Sequence, residues 1–167
     1  MRLLRSVMYA SAVLMALCYC AWGQENMQAF EVTLCELYQH PEKYAGKMVK
    51  FRATVAGRTE DLWVDGFTRE PCPSHIRVTV VFPGKVKPAP DFGLVHNDSI
   101  KEFQDALYYK GPIHIDATFE GRFDTVLTVQ GEKRVRVGKG YGKKSAYDAR
   151  IVLYRVSNVW ADPLPRK

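Results

Sequence analysis

The sequence predicts a mainly β domain: a small antiparallel barrel, with a short helix before it and a second helix between its third and fourth strands. Three observations predict it. Val49, Phe51, Ala53 and Val55 alternate with Lys50, Arg52 and Thr54, the period of two of a half-buried strand. The segment from Ala149 to Val159 is apolar on both faces at Ile151, Val152, Leu153 and Val156, as a central strand is. Between them the pattern runs through two further strands, a helix and another strand.

The chain opens with a basic head, Met1 to Arg5, and a mostly apolar, uncharged run from Ser6 to Ala21. Small residues at Ala21 and Gly23 stand where a signal peptidase reads, so we expect a signal peptide over 1–23. An uncleaved anchor competes, but the run is short for a membrane span. Cys18 and Cys20 follow Leu17 and Tyr19, not the small residue that precedes a lipidated cysteine. Residues 24–32 show no pattern and read as a flexible lead-in. The barrel domain is then expected over 33–161 and a proline-broken tail over 162–167.

Thr33 and Glu36 form a capping box, flanked by Val32 and Leu37 as a hydrophobic staple. A helix from about Leu34 to His40 follows, and Pro41 stops it or begins a new turn. The first strand lies between Gly46 and Gly57, and Arg58-Thr59 turns the chain. Glu60 to Phe67 is a second, weaker strand, with Leu62 and Val64 on one face and Trp63 on the other. Pro71 and Pro73 mark a turn around Cys72. His75 to Phe82 is the third strand, with Ile76, Val78, Val80 and Phe82 inward and Arg77 and Thr79 outward. Pro83 to Pro90 is a loop. Ser99 and Glu102 read as a second capping box, opening a helix to about Tyr109 with Ile100, Phe103 and Leu107 on one face. Ile113, Ile115, Ala117 and Phe119 alternate with His114, Asp116, Thr118 and Glu120 in the fourth strand. A small hairpin, Thr125 to Val129 and Arg134 to Val137, turns at Gly131 before the last strand. Three strands, a helix, then further strands is the order of an OB-like barrel. An open antiparallel sheet with two helices on one face is the alternative.

Removal of the leader leaves Cys35 and Cys72. In an oxidising compartment a disulfide is the expected state. It would restrict the unfolded chain by roughly 3–4 kcal/mol. Two thiols too far apart to bond is the other reading.

The run Cys35-Glu-Leu-x-x-x-Pro41-Glu-Lys-Tyr44-x-Gly46-Lys-x-Val49 resembles a group of uncharacterised bacterial exported proteins. So does the closing run Gly140-Tyr141-Gly142, then Ala146-Tyr147-Asp148-Ala149-Arg150-Ile151-Val152-Leu153-Tyr154-Arg155-Val156. With Cys72-Pro73, the similarity covers most of the processed chain. Where that group carries a histidine after Gly-Tyr-Gly, this chain has Lys143. The resemblance implies an exported OB-like domain and supplies no activity.

Charge placement is the most informative functional feature. Residues 131–144 hold Lys133, Arg134, Arg136, Lys139, Lys143 and Lys144 against Glu132, while the whole chain is only +6. Glycines interrupt the run, so backbone amides can approach a ligand. A basic, glycine-rich loop before the last strand of such a barrel can contact phosphate or sulfate groups. A solvated hairpin is the competing reading. Trp63 and Tyr141 are the aromatic candidates for stacking on bases or sugars, with Phe67, Tyr108 and Tyr109 behind them. Gly138 to Ser145 has the wrong glycine spacing for a nucleotide-phosphate loop. Cys35, His40, Cys72 and His75 have zinc-ligand types, but a disulfide would consume the thiolates, so neither metal nor cofactor is expected. No Gly-x-Ser-x-Gly occurs. Asp116 and Glu120 share a strand face about 13 Å apart by strand rise, too far for a glycosidase pair. The expectation is an exported, non-catalytic binding or structural module of the periplasm or cell envelope. Its expected partner is an anionic polymer or oligosaccharide, and no membrane span remains after processing. A hydrolase with a shallow site on the barrel face is the alternative.

Overall fold

The computed structural model describes residues 28–58, 61–65, 78–109, 113–131 and 133–163. The expected signal peptide, Cys72, His75 and the tail beyond Pro163 lie outside them. The strands are β1 (Phe30–Glu31), β2 (Met48–Arg58), β3 (Asp61–Asp65), β4 (Val78–Val81), β5 (Ile113–Thr125), β6 (Leu127–Gln130), β7 (Lys133–Arg136) and β8 (Ala149–Pro163). The helices are α1 (Leu34–Gln39), α2 (Pro41–Tyr44) and α3 (Asp98–Leu107). No helix among the described residues is long and apolar enough to cross a membrane.

Five strands close a barrel. β2 pairs with β3, β3 with β4, β4 with β8, β8 with β5, and β5 again with β2. Closure leaves no open sheet edge around the circuit, which an open sheet would have. All these pairs are antiparallel except β4–β8, which is parallel, so the barrel is not antiparallel throughout. In chain order α3 falls between the third and fourth barrel strands.

The alternation in β2 does what its period requires: Val49, Phe51 and Ala53 are buried, and they lie opposite Gly121, Phe119 and Ala117 of β5. The Phe51 and Phe119 rings sit 5.9 Å apart. Phe103 of α3 meets Phe119 edge-on at 5.6 Å, so α3 delivers its apolar stripe of Ile100, Phe103 and Ala106 into the same core. Truncating a fully buried phenylalanine of this kind to alanine costs about 3–5 kcal/mol.

β8 explains its apolar appearance on both faces. Ile151, Leu153 and Val156 all join the core although 153 and 156 differ in parity. The reason is a register shift between Glu120 and Gly121, and a second lies between Asp116 and Thr118. Each bulge adds a residue on β8 and bends the strand around the barrel. At the first bulge the backbones approach so closely that a Cβ on Gly121 would collide with the Val152 carbonyl and the Ile151 side chain. Beyond the last β4–β8 pair, Val81 with Val152, the preceding loop covers β8: the Val95 amide donates to the Tyr154 carbonyl at 2.7 Å, and Asn97 Nδ2 to that of Val156 at 3.2 Å.

Several local expectations change. Phe30 and Glu31, expected in the flexible lead-in, form a short strand parallel to β2. The Thr33–Glu36 capping box is present, with Thr33 Oγ1 accepting from the Glu36 amide and Glu36 Oε2 from that of Thr33. Pro41 begins a new helix. The α3 cap is Asn97 instead of Ser99; its side chain accepts from the Ile100 amide at 2.9 Å. The asparagine one residue before the helix reaches the third amide just as a serine cap would. Thr79, expected to face outward, is buried and donates to the Leu62 carbonyl at 3.0 Å. Asp116 and Thr118, on the polar face of β5, are buried too. β5 also runs six residues beyond Phe119.

Candidate ligand-binding surface

The basic segment is built as a hairpin and a strapped loop between β5 and β8. β6 and β7 pair from Leu127 with Arg136 to Gln130 with Lys133, turning at Gly131, whose φ is +63°. The hairpin base is tied to the start of β8: the Val126 amide and Thr125 Oγ1 both donate to the Asp148 carbonyl, at 2.9 and 3.2 Å. Tyr141 and Tyr147 then exchange backbone hydrogen bonds of 2.7 and 3.1 Å across the following loop. Gly142, at φ +71°, lies against the Tyr147 ring so tightly that a Cβ would collide with it.

Arg136 is the strap. Its Nε sits 2.8 Å from Asp148 Oδ1, and its Nη2 donates to the carbonyls of Ser145 at 2.8 Å and Tyr147 at 3.5 Å. Expected as a ligand contact, it is occupied in holding the loop. Its exposure was legible as a basic residue on a strand, but the carbonyls that take its donors become neighbours only when the loop folds back. Lys133, Lys139, Lys143 and Lys144 are exposed. Arg134 lies in β7.

Trp63 and Tyr141 are not the open platforms expected of them. Trp63 is half-buried with its ring 6.0 Å from that of Tyr147. Tyr141 is half-buried, and the Arg150 guanidinium lies 4.6 Å from its ring centroid. Burial, and then the Asp124 charge, push the Tyr141 phenol above its ordinary pKa against the opposing pull of Arg150 and Arg122.

Beneath this loop is a charge cluster that sequence reasoning missed. Arg122 Nε lies 2.9 Å from Asp124 Oδ1, and Arg150 Nη2 2.8 Å from Asp124 Oδ2. The hydrogen bond to Asp124 raises the Arg122 pKa above the usual guanidinium value. Asp91 also acts on Arg122, so the two guanidiniums are balanced by two carboxylates and the cluster under the basic loop is close to neutral. The signal was the continuation of β5 past Phe119, which sets Asp124 opposite Arg150.

A cleft of about 320 Å³ adjoins the loop at Gly142. Leu62, Val80, Phe82, Lys85 and Leu107 also line it. It lies beside the point where the β3–β4 ladder ends, at Trp63 with Thr79.

Other expected groups fall elsewhere. Cys35 stands half-buried on α1; its expected partner Cys72 is outside the described residues. His40 caps the start of α2 without a side-chain bond to that helix. Asp116 Oδ1 accepts from Thr54 Oγ1 at 2.6 Å and lies 3.1 Å from His114 Nε2. The carboxylate thus separates hydroxyl from imidazole, whereas a nucleophile needs the imidazole between them. Glu120 lies near Arg155, at 3.8 Å. Comparison with protein-family models, curated proteins and solved structures finds no match to this chain.

Proposed function

We propose that this chain is an exported, OB-like, non-catalytic binding module that recognises an anionic polymer through the segment 131–144. The OB-like reading rests on the cyclic strand order, the parallel closing pair β4–β8 and the helix between the third and fourth barrel strands. The observation that carries the functional reading is the set of exposed lysines, Lys133, Lys139, Lys143 and Lys144, on a hairpin and loop fastened to the barrel. Fastening lowers the ordering cost of binding. A Cys35–Cys72 disulfide and cleavage after Gly23 belong to the same proposal.

The test is salt-dependent retention on heparin and affinity for a single-stranded oligonucleotide. Replacing all four lysines by alanine should lower the slope of log affinity against log salt by about 0.7 for each phosphate no longer neutralised. An unchanged slope would overturn the proposal. Non-reducing peptide mapping tests the disulfide: a linked Cys35–Cys72 peptide is expected, and two alkylated thiols would refute it.

A further inference from the structure

We infer that the other end of the β5–β8 ladder carries a second site, for a neutral sugar ring, built on Trp160 and His114. It lies about 30 Å from the basic loop by strand rise. This second site is separate from the polymer-binding segment and does not depend on it.

The site begins with the second bulge. Asn158 takes a left-handed conformation, φ +50°, where β8 gains its extra residue. The register that follows sets Trp160 opposite Asp116 and Asp162 opposite His114, so these four residues share the outer face. Asp116 is only 6% exposed. A buried carboxylate is costly unless it is bonded; Thr54 Oγ1 donates to Asp116 Oδ1, and His114 Nε2 lies 3.1 Å from the same oxygen. The acid faces His114 Nε2, which leaves Nδ1 on the other side of the ring. His114 meets Trp160 edge-on at 5.6 Å and 67°. Trp160 is nevertheless 51% exposed.

An indole held in place but left half open is a plate for an apolar face. Beside it stand an oriented imidazole and the exposed amide of Asn158, whose Nδ2 lies 3.4 Å from Thr118 Oγ1. A pyranose presents that combination in reverse: a C–H face and a rim of hydroxyls. Asp116 and Asp162 beside the plate disfavour an anionic ligand, and Arg52 of β2, opposite Thr118 on the same face, offsets them against a cationic one, which leaves a neutral ligand.

The experiment titrates the ¹⁵N-labelled protein with cellohexaose and chitohexaose, two neutral β-linked probes. Shifts at the His114, Asn158 and Trp160 amides are expected with at least one of them. Trp160→Ala should weaken that binding at least tenfold and Trp160→Phe less. Asp116→Asn should weaken it through His114 while the shifts stay on the same residues. The lysine-to-alanine variant should bind the sugar unchanged, which separates this site from the basic loop. Absence of shifts at millimolar sugar, or shifts that survive Trp160→Ala, would overturn the inference. So would self-association that Trp160→Ala abolishes, since this face would then be a protein interface.

Discussion

At the Thr125–Ala149 end of the β5–β8 ladder, six cations cluster in sequence, yet Arg136 is spent on Asp148 and two loop carbonyls, and Arg122 and Arg150 share Asp124. At the Ile113–Pro163 end the only run visible in the sequence is ordinary strand alternation. There a buried acid lies 3.1 Å from an imidazole beside an indole open to solvent. The contrast shows that a charge run locates a region but not its available groups. Availability is decided by which neighbours the fold brings to each side chain. An isolated pair of residues on a well-paired strand can therefore be better organised for binding than a dense basic segment.

The sharpest way to break both ends at once is the bulge between them. Gly121→Ala drives a Cβ into the Val152 carbonyl, so the ladder must shift. We expect a loss of about 3 kcal/mol in urea unfolding, with reduced binding at both ends. A variant with unchanged stability would mean that the two ends are not set by this close approach.

A smaller effect separates the strap from a ligand-facing lysine. Arg136→Ala should cost about 1 kcal/mol, since its ion pair is largely exposed but its bonds to the loop carbonyls disappear. Hydrogen exchange at the Tyr141 and Tyr147 amides should accelerate. Lys143→Ala should stay within about 0.5 kcal/mol and leave that exchange alone. Equal effects from the two substitutions would erase the distinction drawn between them.

The smallest effect is at high pH. Because the folded Tyr141 pKa is raised, the folded state holds this proton more tightly than the unfolded chain. Its contribution is fully present below the ordinary phenol value near 10. It is lost as pH rises through the folded value. Stability should therefore fall above pH 10 more steeply in the native chain than in Tyr141→Phe. Parallel curves would remove this assignment.

Most of the barrel was legible because period-two patterns survive burial: Val49, Phe51 and Ala53, and Ile115, Ala117 and Phe119, face the core as read. Less visible were features that depend on pairing. Nothing local to Glu31 announces a parallel partner in Lys50, and the bulges that change parity along β8 exist only against β5. Thr79 looked outward by alternation, yet the fold covers that face and gives its hydroxyl the Leu62 carbonyl. The basic loop was found by composition alone. His114 and Trp160 carried no signal, since they lie 46 positions apart in the chain and only the β5–β8 register joins them.

The most direct measurement is a chemical-shift map of the ¹⁵N-labelled protein titrated with a heparin hexasaccharide at low salt. Recognition of an anionic polymer by the basic loop predicts shifts at Lys133, Lys139, Lys143 and Lys144 that collapse as salt rises, with the amides of 113–118 and 157–162 unmoved. Shifts confined to the His114–Trp160 end, or none at the basic loop, would contradict it.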